Sequence, residues 1–239
     1  MRRLDGQYWN RYFDAVFCRH ISSLRQAVLG RVLATFDDLD KEAEAVADQE
    51  WDRLMSLPGC EDGPDPGELA EQATERGLEY YQTLQGIRQG LLNVAAVWLY
   101  HLYEQQWHFF HRKEVLYPAE ERCKELDKWR VFKNRLAEAR VYVEKLPSWT
   151  KVDELRLAAN TVKHGEGPSA EDLRNLRPDL FVPPWERDGT EGDSLWAFPL
   201  PPEMPLAGED MYVSAGDLGQ YFSALLSFWR EFGEAIRDK

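Results

Sequence analysis

Along most of this chain apolar residues recur every three or four positions, the spacing of one face of an α-helix. The first such run carries Trp9, Tyr12, Phe13, Val16, Phe17, His20, Ile21, Leu24 and Val28, and extends to about Leu33. Asp37 and Asp38 then cap a second helix reaching about Leu57. Its stripe of Ala43, Val46, Ala47, Trp51 and Leu54 is thin, which places it on the outside. Residues 58–67 (PGCEDGPDPG) read as a loop. From Glu68 to Lys113 the pattern hardly breaks. As one rod that length would span roughly 70 Å, so a kink near Gly86 or Gly90 is expected. Pro118 opens a further helix to Leu146, with Trp129, Phe132, Leu136, Ala139 and Val143 facing inward, and Pro147 ends it.

Residues 151–178 (KVDELRLAANTVKHGEGPSAEDLRNLRP) form the polar focus of the chain. Ser148 or Thr150 caps a short helix, Asp153 supplies a capping-box acid, and Gly165, Gly167 and Pro168 stop it. At 100° per residue Val152, Leu155, Ala158, Ala159 and Val162 share one arc. Asp153, Arg156, Asn160, Lys163 and His164 share the next, which is expected to line a crevice or meet a second chain. A short helix at 169–173 follows. Residues 178–208 are proline-rich and weakly periodic, yet hold Phe181, Trp185, Trp196 and Phe198, anchors for wrapping over a body. Met211-Tyr-Val is expected to be a short strand or an extended segment. Ser214 or Asp217 caps a final helix with Leu218, Tyr221, Phe222, Leu225, Leu226, Trp229, Phe232 and Ile236 on its stripe. The expected fold is an all-α helical bundle: a body at 1–177, a wrapping segment at 178–213 and a C-terminal helix at 214–239, forming one domain.

Composition sharpens this picture. A hydrophobic fraction of 44% and nine tryptophans mark a globular chain rather than a disordered one. The net charge of −13 argues against a general nucleic-acid coat. Charge is uneven, however: residues 112–145 carry ten Lys/Arg against seven acids, and 37–52 carry eight acids and one lysine. The first set could track an RNA backbone or support its own helix with i, i+4 ion pairs, and the second is a solvated face. Cys18, Cys60 and Cys123 lack the spacing of a disulfide framework or zinc site. The N-terminus is charged and amphipathic, and the most apolar window, 91–103, contains Asn93 and His101. A cytoplasmic protein without membrane spans is therefore expected. No phosphate loop, nucleophile elbow or dinucleotide fingerprint occurs. His101, His108 and His111 share one helix, where core or surface roles outweigh metal binding, and His20 is expected to be buried in its aromatic stripe. No metal or cofactor is expected.

The Asn160-Thr-Val-Lys-His164-Gly165 stretch, near a helix end in a helical chain, resembles the Asn-x-x-x-His core of HEPN-type domains. The family pattern places Arg directly before the Asn; here that position holds Ala159, and Arg156 is the nearest upstream arginine. The resemblance implies a homodimer whose interface forms an RNA-cleaving groove, with a partner or trigger controlling it. It implies His164 as general acid or base, Arg156 and Lys163 as phosphate ligands, and Asn160 as the orienting group. These residue types suffice for metal-independent cleavage by 2′-hydroxyl attack, as in toxin and antiphage-defence ribonucleases. The alternative is a non-catalytic helical interaction subunit of a defence or regulatory complex, in which Lys163 and His164 are cations favoured at a helix C-terminus.

Overall fold

A computed structural model describes residues 5–57, 65–187 and 201–237, and all regular structure among these residues is helical. The architecture is all-α, with the helices packed as a bundle. Helices α1 (Gly6–Tyr12) and α2 (Arg19–Ala27) are linked by a π turn at Phe13–Cys18. A second π turn at Val28–Val32 and a 3₁₀ turn at Leu33–Phe36 continue the run to residue 36. The wider turns have a visible cause. Trp9, Phe13, Phe17 and Ile21 are spaced by four and all buried, and a 3.6-residue helix would carry that series around its axis. His20 is exposed rather than buried, because it falls just off this face.

Helix α3 (Leu39–Met55) runs back along the first half of α4 (Pro66–Phe110). Asp38 occupies the N-cap position of α3, but its carboxylate holds Lys41 instead of the helix end. The kink expected in α4 is absent, and 45 residues form one unbroken helix. Its glycines serve another purpose: the chain at 205–208 crosses α4 against them. A methyl on Gly90 would lie 2.5 Å from the Leu206 carbonyl oxygen, and one on Gly208 would overlap the Gly86 carbonyl. Asn93, fully buried, secures the crossing. Its amide donates to the carbonyls of Pro205 (2.6 Å) and Met211 (2.8 Å), and its Oδ1 accepts from Val213 N–H (3.3 Å) and Gln89 Nε2 (3.1 Å).

The helix expected at 118–146 is much shorter. Residues 117–127 form successive turns, and α5 occupies only Trp129–Glu138. The turns are held by distant partners: Asp127 by His108, the Leu126 carbonyl by His111, and Glu120 by Arg135. The helix stops because Arg140 adopts φ +59°. Arg140 N–H donates to Ala137 and Val141 N–H to Leu136, the paired bonds of a Schellman termination.

Helix α6 (Trp149–His164) turns through Gly165 and Gly167 into α7 (Pro168–Leu176), as the glycines and proline predict. Neither expected cap forms at its start. Ser148 sits at the N-cap, but its hydroxyl donates to Glu231, and Asp153 pairs with Arg156. Beyond α7 the wrapping segment lies on the body where it is described. Leu180, Phe181, Pro205, Met211 and Val213 are buried, and Tyr212, outside any regular element, donates its N–H to the Leu180 carbonyl (2.8 Å). Trp185 is not an anchor, being 76% exposed, and Trp196 and Phe198 lie outside the described residues.

Helix α8 (Ala215–Ile236) begins with a Ser214–Asp217 capping box and contacts α1, α2, α4 and α6. It is buried around more of its circumference than one stripe, with Ala224 and Phe228 added to the expected positions. Trp229 packs against Phe13 and Phe17 with centroids 4.8 Å from each. Its indole N–H donates to Gln106 Oε1 (2.7 Å), whose amide reaches the Phe17 carbonyl, so this buried polar chain is satisfied. Glu154, although charged, is 4% exposed. It accepts from Arg177 (2.6 Å), Lys151 (2.7 Å) and the Tyr221 hydroxyl (3.0 Å). Arg177 also holds Asp179 (2.7 Å) and Asp217 (2.8 Å), joining α6, the end of α7 and α8.

Candidate functional site

The four residues singled out on α6 divide between two places. Lys163 and His164 occupy the last turn, where both are exposed and neither side chain has a hydrogen bond or ion pair among the described residues. They line an open groove of about 490 Å³ between 162–166 and the crossing segment 202–207. Gly165 fixes the groove's floor. It adopts φ +69°, and a methyl there would lie 2.8 Å from the Pro202 carbonyl oxygen. The groove also holds two acids, Glu166 and Glu203, of which Glu166 is paired with Arg174 (2.7 Å). Asn160 lies one turn below His164, half-buried, with a long contact of 3.5 Å to the Ser169 hydroxyl.

Arg156 belongs to the second place. Eight residues before His164, it is about 12 Å away along the helix axis. Helical side chains lean toward the N-terminus, and Arg156 does so, donating from Nε to Asp153 Oδ1 (2.6 Å). Burial opposes its charge, but the Asp153 carboxylate outweighs burial and its pKa is raised. Within one chain the structure therefore joins Lys163 and His164 in the groove, with Asn160 one turn away, and leaves Arg156 outside it.

The cavity beside Arg156 was not visible in the sequence. It measures about 120 Å³ and is walled by Trp107, Trp129, Trp149, Tyr100 and Tyr103, with Glu104, Asp153 and Arg156 as its charged members. Trp129 and Trp149 lie parallel, 4° apart with centroids 5.6 Å apart, and Trp107 meets Trp129 at 68°. The Tyr103 hydroxyl is buried and has no hydrogen-bond partner among the described residues. Burial, reinforced by Tyr100, Glu104 and Asp153, pushes it well above the usual phenol range, so it stays protonated. The tryptophans come from α4, α5 and α6, more than 19 residues apart in sequence, so no local spacing announces them.

The other candidate chemistry resolves into structural roles. His101 pairs with Glu104 (2.6 Å) and His108 with Asp127 (2.7 Å), while His111 is bound to the Leu126 carbonyl. No cluster of metal-ligating side chains occurs among the described residues. Burial pushes the Cys18 thiol up to about 11, which keeps it un-ionised. No helix among the described residues is long and apolar enough to cross a membrane. The chain is thus an all-α bundle with an aromatic cavity and an open polar groove toward opposite ends of α6. Set against known proteins, it matches no family model, no curated protein and no solved structure.

Proposed function

We propose that this protein is a HEPN-like, metal-independent endoribonuclease of the toxin or antiphage-defence kind, acting as a homodimer under the control of a partner or trigger. The observation that carries the reading is the exposed Lys163–His164 pair in the groove at the end of α6, with Asn160 one turn below. In the reaction the ribose 2′-oxygen attacks the adjacent phosphorus and the bond to the 5′-oxygen breaks. His164 takes the 2′-proton or delivers a proton to the departing 5′-oxygen. Lys163 offsets charge on the phosphate, and Asn160 orients it. One imidazole cannot serve both proton transfers at once, so a second copy of the chain supplies the other. Arg156, bound to Asp153 beside the other cavity, has no part in this step within one chain.

A second reading, a non-catalytic interaction subunit, is favoured by the placement of Arg156 and by the two acids in the groove. Cleavage of labelled RNA in EDTA separates the two, with wild type beside His164→Ala and Lys163→Ala. The ribonuclease leaves 2′,3′-cyclic phosphate and 5′-hydroxyl ends, and His164→Ala lowers its rate by about 10²- to 10⁴-fold. An intact RNA panel, together with normal growth of cells expressing the wild type, refutes a constitutively active ribonuclease and moves the reading to the interaction subunit.

A further inference from the structure

We propose that the groove between α3 and the first half of α4 is the docking site for a cationic amphipathic helix of another protein, one whose apolar stripe is flanked by lysine and arginine. The first argument is shape. The groove measures about 350 Å³ and its floor is made of small residues. A methyl on Gly77 would lie 2.8 Å from the Ala43 carbonyl oxygen and 3.0 Å from the Ala47 Cβ, so the two backbones meet closely there. Leu78, 52% exposed, and the half-buried Tyr81 form an apolar lip on α4. Along this hairpin only Leu39 and Leu54 of α3 and Ala73 and Gly77 of α4 are buried, so most of the pair's surface is open to a partner. Two antiparallel helices with a shallow apolar trough between them are the seat of a third, packed about 8–10 Å from each axis.

The second argument is charge. Residues 37–85 hold 15 acidic residues against three basic ones, a net of −12 that is nearly the whole of the chain's −13. All three bases are already paired with acids three residues away: Lys41 with Asp38, Arg53 with Glu50 and Arg76 with Glu79. Asp40 and Glu44 stand one turn apart on the α3 rim of the groove, both exposed, and neither has a cationic partner among the described residues. Glu71, exposed and two turns before Leu78, continues the acidic rim on α4. An apolar floor between acidic rims is complementary to an apolar stripe between cationic flanks. The field of the hairpin also draws such a helix in before contact.

The same charge decides against other occupants. Nucleic acid, an anionic membrane surface and an acidic helix are all repelled. A second copy brings the same net −13, and its cationic helices α2 and α5 turn their apolar stripes, Ile21 and Leu24 or Phe132 and Leu136, into their own core. An extended cationic peptide could meet the rims but would leave the Leu78 lip uncovered. No residue lines both this groove and the one that holds Lys163 and His164, so the test does not depend on the ribonuclease reading.

The probe is a fluorescein-labelled, amidated peptide of about 18 residues with leucine at heptad positions a and d and lysine at e and g, titrated with the full chain and read by anisotropy. One comparator replaces every lysine with glutamate; the other keeps the composition but scatters the leucines off the stripe. Saturable binding with Kd of about 1–100 μM at about 0.1 M salt is expected, and either comparator should bind about tenfold more weakly or worse. Leu78→Ala, at an exposed position that the fold does not need, should weaken the probe about fivefold. Asp40→Asn with Glu44→Gln should weaken it about fivefold or more. Glu171→Gln with Glu234→Gln, the same charge change on exposed acids of α7 and α8, should stay within about twofold of wild type. Amide hydrogen exchange at 40–47 and 74–81 should slow when the probe binds. Equal binding of either comparator, equal losses in the two charge-variant pairs, no saturation by about 1 mM, or wild-type self-association that Leu78→Ala abolishes overturns the proposal.

Discussion

Replacing Asn93 with alanine should detach the segment at 205–213 from the body. The side chain is fully buried and makes four hydrogen bonds, three of them to backbone groups of the crossing segment. If the segment stays in place, the Pro205 and Met211 carbonyls and the Val213 N–H lose their partner, at about 1–3 kcal/mol for each group left unsatisfied. If the segment lifts away, water satisfies those groups, but the buried Pro205, Met211 and Val213 side chains are exposed. That loss is about 1.5–3 kcal/mol per large apolar side chain. The cheaper route sets the cost, so the loss should be at least about 3 kcal/mol, a large share of a typical domain stability of about 5–15 kcal/mol. Urea denaturation measures the global loss, and amide hydrogen exchange at 205–213 should accelerate about a hundredfold or more. Asn93→Asp keeps an acceptor but sets a carboxylate against two carbonyl oxygens, so it should be no milder at neutral pH. An Asn93→Ala protein within about 1 kcal/mol of wild type, with exchange at 205–213 unchanged, would refute the assignment of Asn93 as the clamp.

Two further predictions concern the helix ends and the buried ion network. Arg140 holds a left-handed conformation that costs an L-residue about 1 kcal/mol, so Arg140→Gly should match or exceed wild-type stability by up to that amount, whereas Arg140→Val should fall below it in thermal denaturation. Arg177→Met should lose about 3–5 kcal/mol at pH 7, because Glu154 and Asp217 become buried charges without their arginine. The same variant has a pH signature. Arg177 holds Asp179 below the usual carboxylate range, and at Asp217 the Ser214 and Arg177 hydrogen bonds outweigh an opposing effect of burial. A depressed carboxyl contributes stability that is fully present above its unfolded value near pH 4 and lost as pH falls through the folded value. Wild type should therefore weaken below about pH 4, whereas Arg177→Met lacks that contribution, so its deficit against wild type should be largest near neutral pH and shrink as pH falls, as urea midpoints across pH 3–7 would register.

The sequence disclosed what is periodic and concealed what depends on distance. The three- and four-residue spacing in α4, α6 and α8, with Gly165, Gly167 and Pro168 after α6, was enough to locate those helices. The turns at 117–127 carry the same spacing, yet His108, His111 and Arg135 hold them open as turns, and no local pattern reveals such contacts. The stop after α5 escaped notice because an arginine, not a glycine, occupies the left-handed position. At α6 the short motif holds Lys163 and His164 on adjoining positions, and both line the groove. It could not show that Arg156 leans back to Asp153, since helical spacing fixes where a side chain starts and not where its charge ends. Nothing local marked Glu154 as buried, because its distant partners Arg177 and Tyr221 lie 23 and 67 residues further along. Asn93 did leave a trace, as a lone amide within the most apolar window of the chain.

The unbroken α4 carries two very different environments on one hydrogen-bonded ladder. Before Gly90 only Ala73 and Gly77 are buried along it, and α3 is its companion there; from Gly90 onward it is part of the main core. Isolated helices gain little from propensity alone, but lengthening one that is already nucleated requires no new nucleus. The core half of α4 thus acts as a permanent template on which the outer half and α3 can form, open and re-form without disturbing the bundle. Opening free energy should decline along that hairpin with distance from Gly90, making its distal turns the first region of the chain to meet proteases or a binding partner.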